Sequence, residues 1–226
     1  MMSHFTVGVF INTKKDKKLG DLLAPYQENN MGDCPKEYLE FNECDKEDIE
    51  EYENHKDEYE TLEDFMWKYH GYKKDKETGK YGYWENPNAE WDWYEIGGRW
   101  SNSLLTKNGV KCNFAQLKEI DWDKMRENKK KRAEEIWDSN PEGIYRYLNE
   151  IEKDDTRESY VKRMSEFSTY AVITPDGEWH AKGEMGWFGV SSDTVEDREN
   201  WSKSFYDTFI KDTDDELVLV IVDCHI

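Results

Sequence analysis

The sequence predicts an α+β fold, with a mainly antiparallel sheet containing the N- and C-terminal strands, helices packed on one face and a helical central insertion. Three observations point to it. Both ends carry strand patterns, FTVGVFIN and LVLVIVDCHI; the stretch from Asn113 to about Phe167 reads as helix throughout; and STYAVITPDGEWHAKG reads as a hairpin around Pro175-Asp176-Gly177. One α+β domain over residues 1–226 is expected, with 36–80 as an acidic, aromatic-rich insertion and 113–167 as a helical segment.

Taken in order, Phe5 to Asn12 alternates small, branched and aromatic residues as a strand does, and Leu19, Leu22 and Leu23 follow at helical spacing until Pro25. From Lys36 to Asp64 there are fourteen carboxylates against three lysines, interleaved with Tyr38, Phe41, Tyr52, Tyr59 and Leu62. This pattern suits short helices with one aromatic face and one solvated acidic face, or else a partly mobile insertion. SNSLLT is a short strand before a Lys107-Asn108-Gly109 turn. Within the helical segment, Ser139-Asn140-Pro141 marks a break where a new helix starts. KMRENKKKRAEEIW is a basic helix face with i,i+4 pairs such as Glu127 with Lys131. Val195 to Ile210 is an amphipathic helix with Trp201, Phe205 and Phe209 on one side, and the apolar run at the C-terminus is a strand buried on both faces.

Only 36 % of the residues are hydrophobic and mean hydropathy is -1.06, yet 15 % are aromatic, and ten Trp and fourteen Tyr supply large buried areas per residue. A formal net charge of -20 argues against direct binding to DNA, RNA or an anionic membrane. No stretch approaches the ~18 apolar residues of a membrane span, the start has no apolar signal core, and Cys34, Cys44, Cys112 and Cys224 form no C-x-x-C pair. A cytoplasmic protein with free thiols is expected.

Two glycine-aromatic segments stand out. EWDWYEIGGRW places Trp91, Trp93, Tyr94, Gly97, Gly98, Arg99 and Trp100 within eleven residues. The glycine pair lets backbone N–H groups approach a ligand, Arg99 matches an anionic group bidentately, and the indoles offer stacking faces. The competing reading is a Gly-Gly bulge with Arg99 bridging Asp92 or Glu95. EWHAKGEMGWFG adds Trp179, His180, Lys182, Gly186 and Trp187, and the expectation is that the two segments face one pocket. At the C-terminus Asp223 and His225 point to one face of a strand and pair with neighbours near Arg99. Were the protein an enzyme, His180, His225 and Asp223 would be its acid–base residues. A divalent ion shared by those three is the weaker alternative, and no metal or cofactor is expected. Walker A, GxSxG, HExxH and GxGxxG patterns are absent, which disfavours ordinary NTPases, serine hydrolases, zincins and Rossmann dehydrogenases.

LLAPYQEN, ENPNAEWDWYEIGGRW, EWHAKGEMGWFG and the terminal VDCHI together resemble an uncharacterised family of proteins encoded by bacteriophages and some bacteria. The resemblance implies a phage or mobile-element context and, for a phage protein, the host cytoplasm. It carries over no catalytic residues. Joined to the two segments, it leads to the expectation of a binder that sequesters a nucleotide-derived host immune signal, of cyclic nucleotide or cyclic ADP-ribose type, and so counters antiphage defence. The alternatives are a phosphoesterase that degrades such a nucleotide and an acidic nucleic-acid mimic that blocks a host protein. The expected partner is a nucleotide-like small molecule; self-association stays open.

Overall fold

A computed structural model describes residues 4–185 and 190–226. The chain forms two compact units, Met1–Leu22 with Trp93–Ile226 and, between them, Leu23–Asp92. The inserted unit is therefore wider than the expected 36–80.

In chain order the elements begin with β1 (His4–Ile11) and α1 (Leu19–Leu23). The inserted unit holds β2 (Glu40–Glu43), α2 (Lys46–His55), α3 (Leu62–Lys68), β3 (Lys73–Lys74) and β4 (Tyr81–Glu85). Beyond it come β5 (Trp93–Ile96), β6 (Leu104–Leu105), β7 (Lys111–Cys112), β8 (Phe114–Gln116), α4 (Trp122–Asp138), α5 (Ile144–Leu148) and α6 (Arg157–Ser165). The chain ends with β9 (Ala171–Ile173), β10 (Trp179–Ala181), α7 (Val195–Phe209) and β11 (Val218–His225).

The main sheet has the order β10-β9-β1-β11-β5, with β8 also paired to β11. β1 and β11 run antiparallel over their full lengths, from His4 opposite His225 to Ile11 opposite Val218. The first and last strands thus share one core, and the fold class is the α+β arrangement expected. β1 and β9 are parallel, while the other pairings in this sheet are antiparallel. On one face Phe10, Val172, Leu219 and Ile221 pack against Met125 of α4 and Phe205 of α7. On the other, Phe5, Val7, Val9, Ala171, Ile173, Val222 and Cys224 are also buried, which is why β11 reads as an almost unbroken apolar run.

Two local expectations are corrected. Helix does not begin at Asn113, because Phe114, Ala115 and Gln116 form β8 opposite Val220, Leu219 and Val218, and α4 starts only at Trp122 under an Asp121 cap that accepts from the Lys124 N–H. Pairing with a strand a hundred residues away overrides the helical pattern. Nor does Pro141 start a helix: α5 follows Gly143, which has φ 56. The Pro175-Asp176-Gly177 hairpin, the Lys107-Asn108-Gly109 turn and the Glu127–Lys131 pair at 2.8 Å form as expected. All four cysteines are free. Among the described residues, no helix is long and apolar enough to cross a membrane.

In the inserted unit β2-β4-β3 form a small sheet, and α2 and α3 meet over an aromatic group in which Phe65 contacts Tyr52, His55, Tyr59 and Tyr69. Capping accounts for where the helices begin. Asp45 and Asp48 form a reciprocal box at α2, and Thr61 accepts from the Asp64 N–H at α3.

The basic helix α4 is not wholly solvated. Arg126 pairs with Glu166 at 3.3 Å, and the Lys129 ammonium donates to the Glu166 backbone oxygen and lies 5.7 Å from the Phe167 ring centre. Lys129 as a residue is half-buried, and its ammonium end packs between the Glu166 oxygen and the Phe167 ring. That burial pushes its pKa down to about 8, against the carboxylates of Glu166 and Glu150, which pull it up. The unfolded lysine titrates near 10.5, so below about 8 the folded state carries the full cost of an enclosed charge. Between about 8 and 10.5 the unfolded chain holds the extra proton, and stability due to this group rises with pH. Lys129→Met is therefore expected to be more stable than wild type at neutral pH, with a gap that narrows across that window in parallel urea titrations. A gap independent of pH would contradict the assignment.

Candidate functional site

The diglycine in EWDWYEIGGRW answers a geometric demand of the sheet. β5 and β8 lie end to end along one edge of β11: β5 pairs with Val222 to His225, and β8 with Val218 to Val220. Ile221 lies at the junction, with its oxygen accepting from the Gly97 N–H and its N–H donating to the Asn113 oxygen, each at 2.8 Å. The chain must peel away from β11 after Ile96 to make room for Asn113. It does so through Gly97 at φ 79 and Gly98 at φ 47. A Cβ on Gly97 would sit 2.5 Å from the Asn113 side chain, and one on Gly98 would sit 2.3 Å from Asp223 Oδ2. A larger residue at position 97 requires the Asn113 side chain to move, and one at position 98 collides with the buried Asp223.

That turn delivers the Arg99 N–H to Asp223 Oδ2 at 2.9 Å, while His4 Nδ1 lies 2.8 Å from Asp223 Oδ1. Asp223 is 2 % exposed and His225 5 %. Asp223 and His225 share the face of β11 that carries Leu219 and Ile221, and Cys224 points the other way, as expected from strand alternation. Around the carboxylate, His4 meets Trp93 edge-on at 5.4 Å and His225 at 5.1 Å, and Trp93 stacks on His225 at 5.1 Å with ring planes 17° apart. Trp93 is nevertheless 43 % exposed, so one surface of the stack faces out. Arg99 is exposed, and among the described residues its guanidinium has no carboxylate or carbonyl partner. It therefore bridges neither Asp92 nor Glu95.

The residues singled out in the sequence thus divide. Trp93, Gly97, Gly98, Asp223, His225 and the backbone of Arg99 come together, and Tyr94 pairs with Cys224 on the reverse face of the same strands. Trp91 instead belongs to the inserted unit, where it is 4 % exposed and its indole donates to the Leu23 oxygen at 3.1 Å. Trp100 packs against the helix-side core.

Trp179, His180 and Lys182 of EWHAKGEMGWFG do not join them. His180, Val172, Gly8, Ile221 and Gly97 form one row across β10, β9, β1, β11 and the end of β5. Four strand spacings of ~4.8 Å put His180 about 19 Å from Gly97, at the opposite edge. There His180 packs on Phe209 of α7 at 5.6 Å and lies 3.6 Å from Glu178. Trp179 turns to the other face against Phe5. Lys182 sits over the Tyr170 ring at 5.2 Å and 3.9 Å from Asp193, a 5 % exposed carboxylate also held by Arg198 at 3.2 Å. The shared pocket is thus corrected: the expected acid–base trio loses His180 and any metal shared by the three loses its geometry. Gly186 and Trp187 lie outside the described residues. The residue missed by the sequence reading is His4, which takes the place expected for His180. Its only signal was its position at the head of the first strand, where antiparallel pairing sets it opposite His225.

Chemically, the site offers an orientated imidazole pair, a buried carboxylate that fixes two partners, an outward indole and an uncommitted guanidinium. Gly98→Ala combines a left-handed backbone, costing ~1–2 kcal/mol for a residue with a Cβ, with displacement of a buried carboxylate, costing several more. It is expected to lower the unfolding free energy by roughly 3–5 kcal/mol, whereas Gly109→Ala, in open space at φ 84, suffers the backbone cost alone. Urea denaturation of both compares them, and equal losses would show that Asp223 is not the constraint.

Comparisons with family models, with curated proteins and with solved structures give no match, so the functional reading rests on this geometry and on the chemistry of its residues.

Proposed function

We propose that the protein is a binder, not a catalyst, and that its ligand is a nucleotide-like molecule held between the Trp93 indole and the Arg99 guanidinium. The observation that carries the reading is that two exposed groups are attached to one buried cluster: Trp93, stacked on the buried His225, and Arg99, whose backbone N–H is held by the buried Asp223. Stacking on an aromatic plane and a forked cation for phosphate are the two contacts a nucleotide needs. Pinning the turn through Asp223 restricts the backbone before ligand arrives, which lowers the ordering cost of binding. In a chain of net charge -20 such a local cation is the means of admitting an anion.

The proposed role is sequestration of a nucleotide-derived host immune signal, of cyclic nucleotide or cyclic ADP-ribose type, by a phage-encoded protein acting in the host cytoplasm. The resemblance of the glycine-aromatic segments to phage-encoded proteins supports that context. One observation favours a second reading, hydrolysis of such a nucleotide: the His4–Asp223 contact at 2.8 Å is the arrangement that orients an imidazole for proton transfer.

Calorimetric titration with cyclic dinucleotides and cyclic ADP-ribose isomers is expected to find at least one ligand below micromolar, recovered intact after denaturing the complex. Recovery of a cleaved product would favour the second reading, and silence across the panel would remove the first. Arg99→Ala is expected to weaken binding by at least tenfold with little change in melting temperature, and Trp93→Ala to weaken it similarly. Glu95 is directly opposite Asp223 across the strands, so Glu95→Gln should tighten binding of an anion several-fold by removing a nearby like charge.

A further inference from the structure

In the inserted unit, apart from the site above, three ligand-type side chains converge. Asp48 and Glu51 lie one turn apart on α2, and His70 follows α3. One ligand atom from each lies within 4.8 Å of the other two. His70 Nδ1 is 3.9 Å from Asp48 Oδ1, and His70 Nε2 is 3.4 Å from Glu51 Oε2. The Nε2 atom is nevertheless enclosed from solvent with no hydrogen-bond partner among the described residues, so this contact is close without being aligned for a hydrogen bond. An imidazole nitrogen cut off from water, facing a carboxylate it does not bond, is a polar atom left without a partner, which a metal ion would satisfy.

The ring is also held in place. His70 stacks on Tyr72 with planes 6° apart and abuts Phe65 and Tyr69 edge-on, so its direction is set by packing before anything binds. The surrounding charge favours a cation, with fourteen carboxylates against three lysines between Lys36 and Asp64.

We propose that Asp48, Glu51 and His70 form a binding site for a divalent transition metal that clamps α2 to the segment after α3. One imidazole and two carboxylates suit zinc, cobalt or manganese, whereas magnesium prefers oxygen ligands and retained water. Ligands at ~2.0–2.2 Å from a tetrahedral ion stand ~3.3–3.6 Å apart, the spacing that His70 Nε2 and Glu51 Oε2 already have at 3.4 Å, with an Asp48 oxygen to be drawn in from within 4.8 Å. The clamp matters because the unit is small and its buried core is slight, the situation in which a metal adds most to stability. The proposal does not depend on the nucleotide reading, since the residues concerned lie in the other unit.

The test uses the full chain, stripped with chelator and titrated with cobalt chloride, zinc chloride and magnesium chloride at pH 7.5. The expected result is one cobalt or zinc ion per chain, a visible cobalt absorption band, a rise in melting temperature and no competition from magnesium at equal concentration. His70→Ala and Glu51→Gln should each weaken binding at least tenfold, while His180→Ala, at an exposed histidine beside Glu178, should leave it unchanged. If His70→Ala unfolds the unit, manganese-induced broadening of the His70 imidazole resonance in the wild-type chain decides the matter. No binding, or binding equal in His70→Ala and wild type, would overturn the site, as would broadening that spares His70.

Discussion

The carboxylate of Asp223 is the constraint on which the β5–β11–β1 end of the sheet depends. It lies in the interior of β11, is almost fully buried, and is held by one contact from each neighbouring stretch: His4 of β1 on one side and the backbone of Arg99, just past β5, on the other. A buried charge without such partners would cost several kcal/mol. The two contacts satisfy it and in doing so fix where β1 begins and where β5 ends. The glycine pair, the arginine after it and the exposed indole on His225 all follow from that arrangement.

The same constraint separates what is structural from what is free to bind. Gly97 and Gly98 are glycines because Asn113 and Asp223 occupy the space a side chain would need. Trp91 is a buried core residue of its unit, and Trp100 packs, partly buried, against the helix-side core. Arg99 is exposed and Trp93 is 43 % exposed, and exposed groups of these types are where function is sought once packing has been accounted for. His180 and Lys182, by contrast, are engaged with α7 and with the buried Asp193.

Much of the fold was legible because it is written in local periodicity. β1 and β11 are apolar runs of strand length, α7 has a three-to-four-residue pattern behind a Thr194 cap, and the β9–β10 hairpin has its own turn. What escaped reading was non-local. Phe114 to Gln116 became a strand because β11 had an unpaired edge there, and the inserted unit is bounded by Leu23 and Asp92, where composition shows no break. The site was half legible for the same reason. Its central segment and the Asp223–His225 pair are conspicuous as sequence, and their meeting near Arg99 follows from strand alternation. His4 is 219 residues away from Asp223, and only the β1–β11 register brings it in, while the row that carries His180 sets it at the far edge. Similar residue content in two segments is no guide to proximity when strand order is unknown.

The central claim is that Trp93 and Arg99, positioned by Asp223, hold a nucleotide-like ligand without altering it. The most direct measurement is mass spectrometry of small molecules released by denaturing the protein after purification from bacteria mounting an antiphage response, with wild type and Arg99→Ala prepared side by side. The account predicts an intact nucleotide-derived compound, in near-stoichiometric amount, from wild type and little or none from the variant. Equal recovery from both, or nothing nucleotide-like from either, would contradict it.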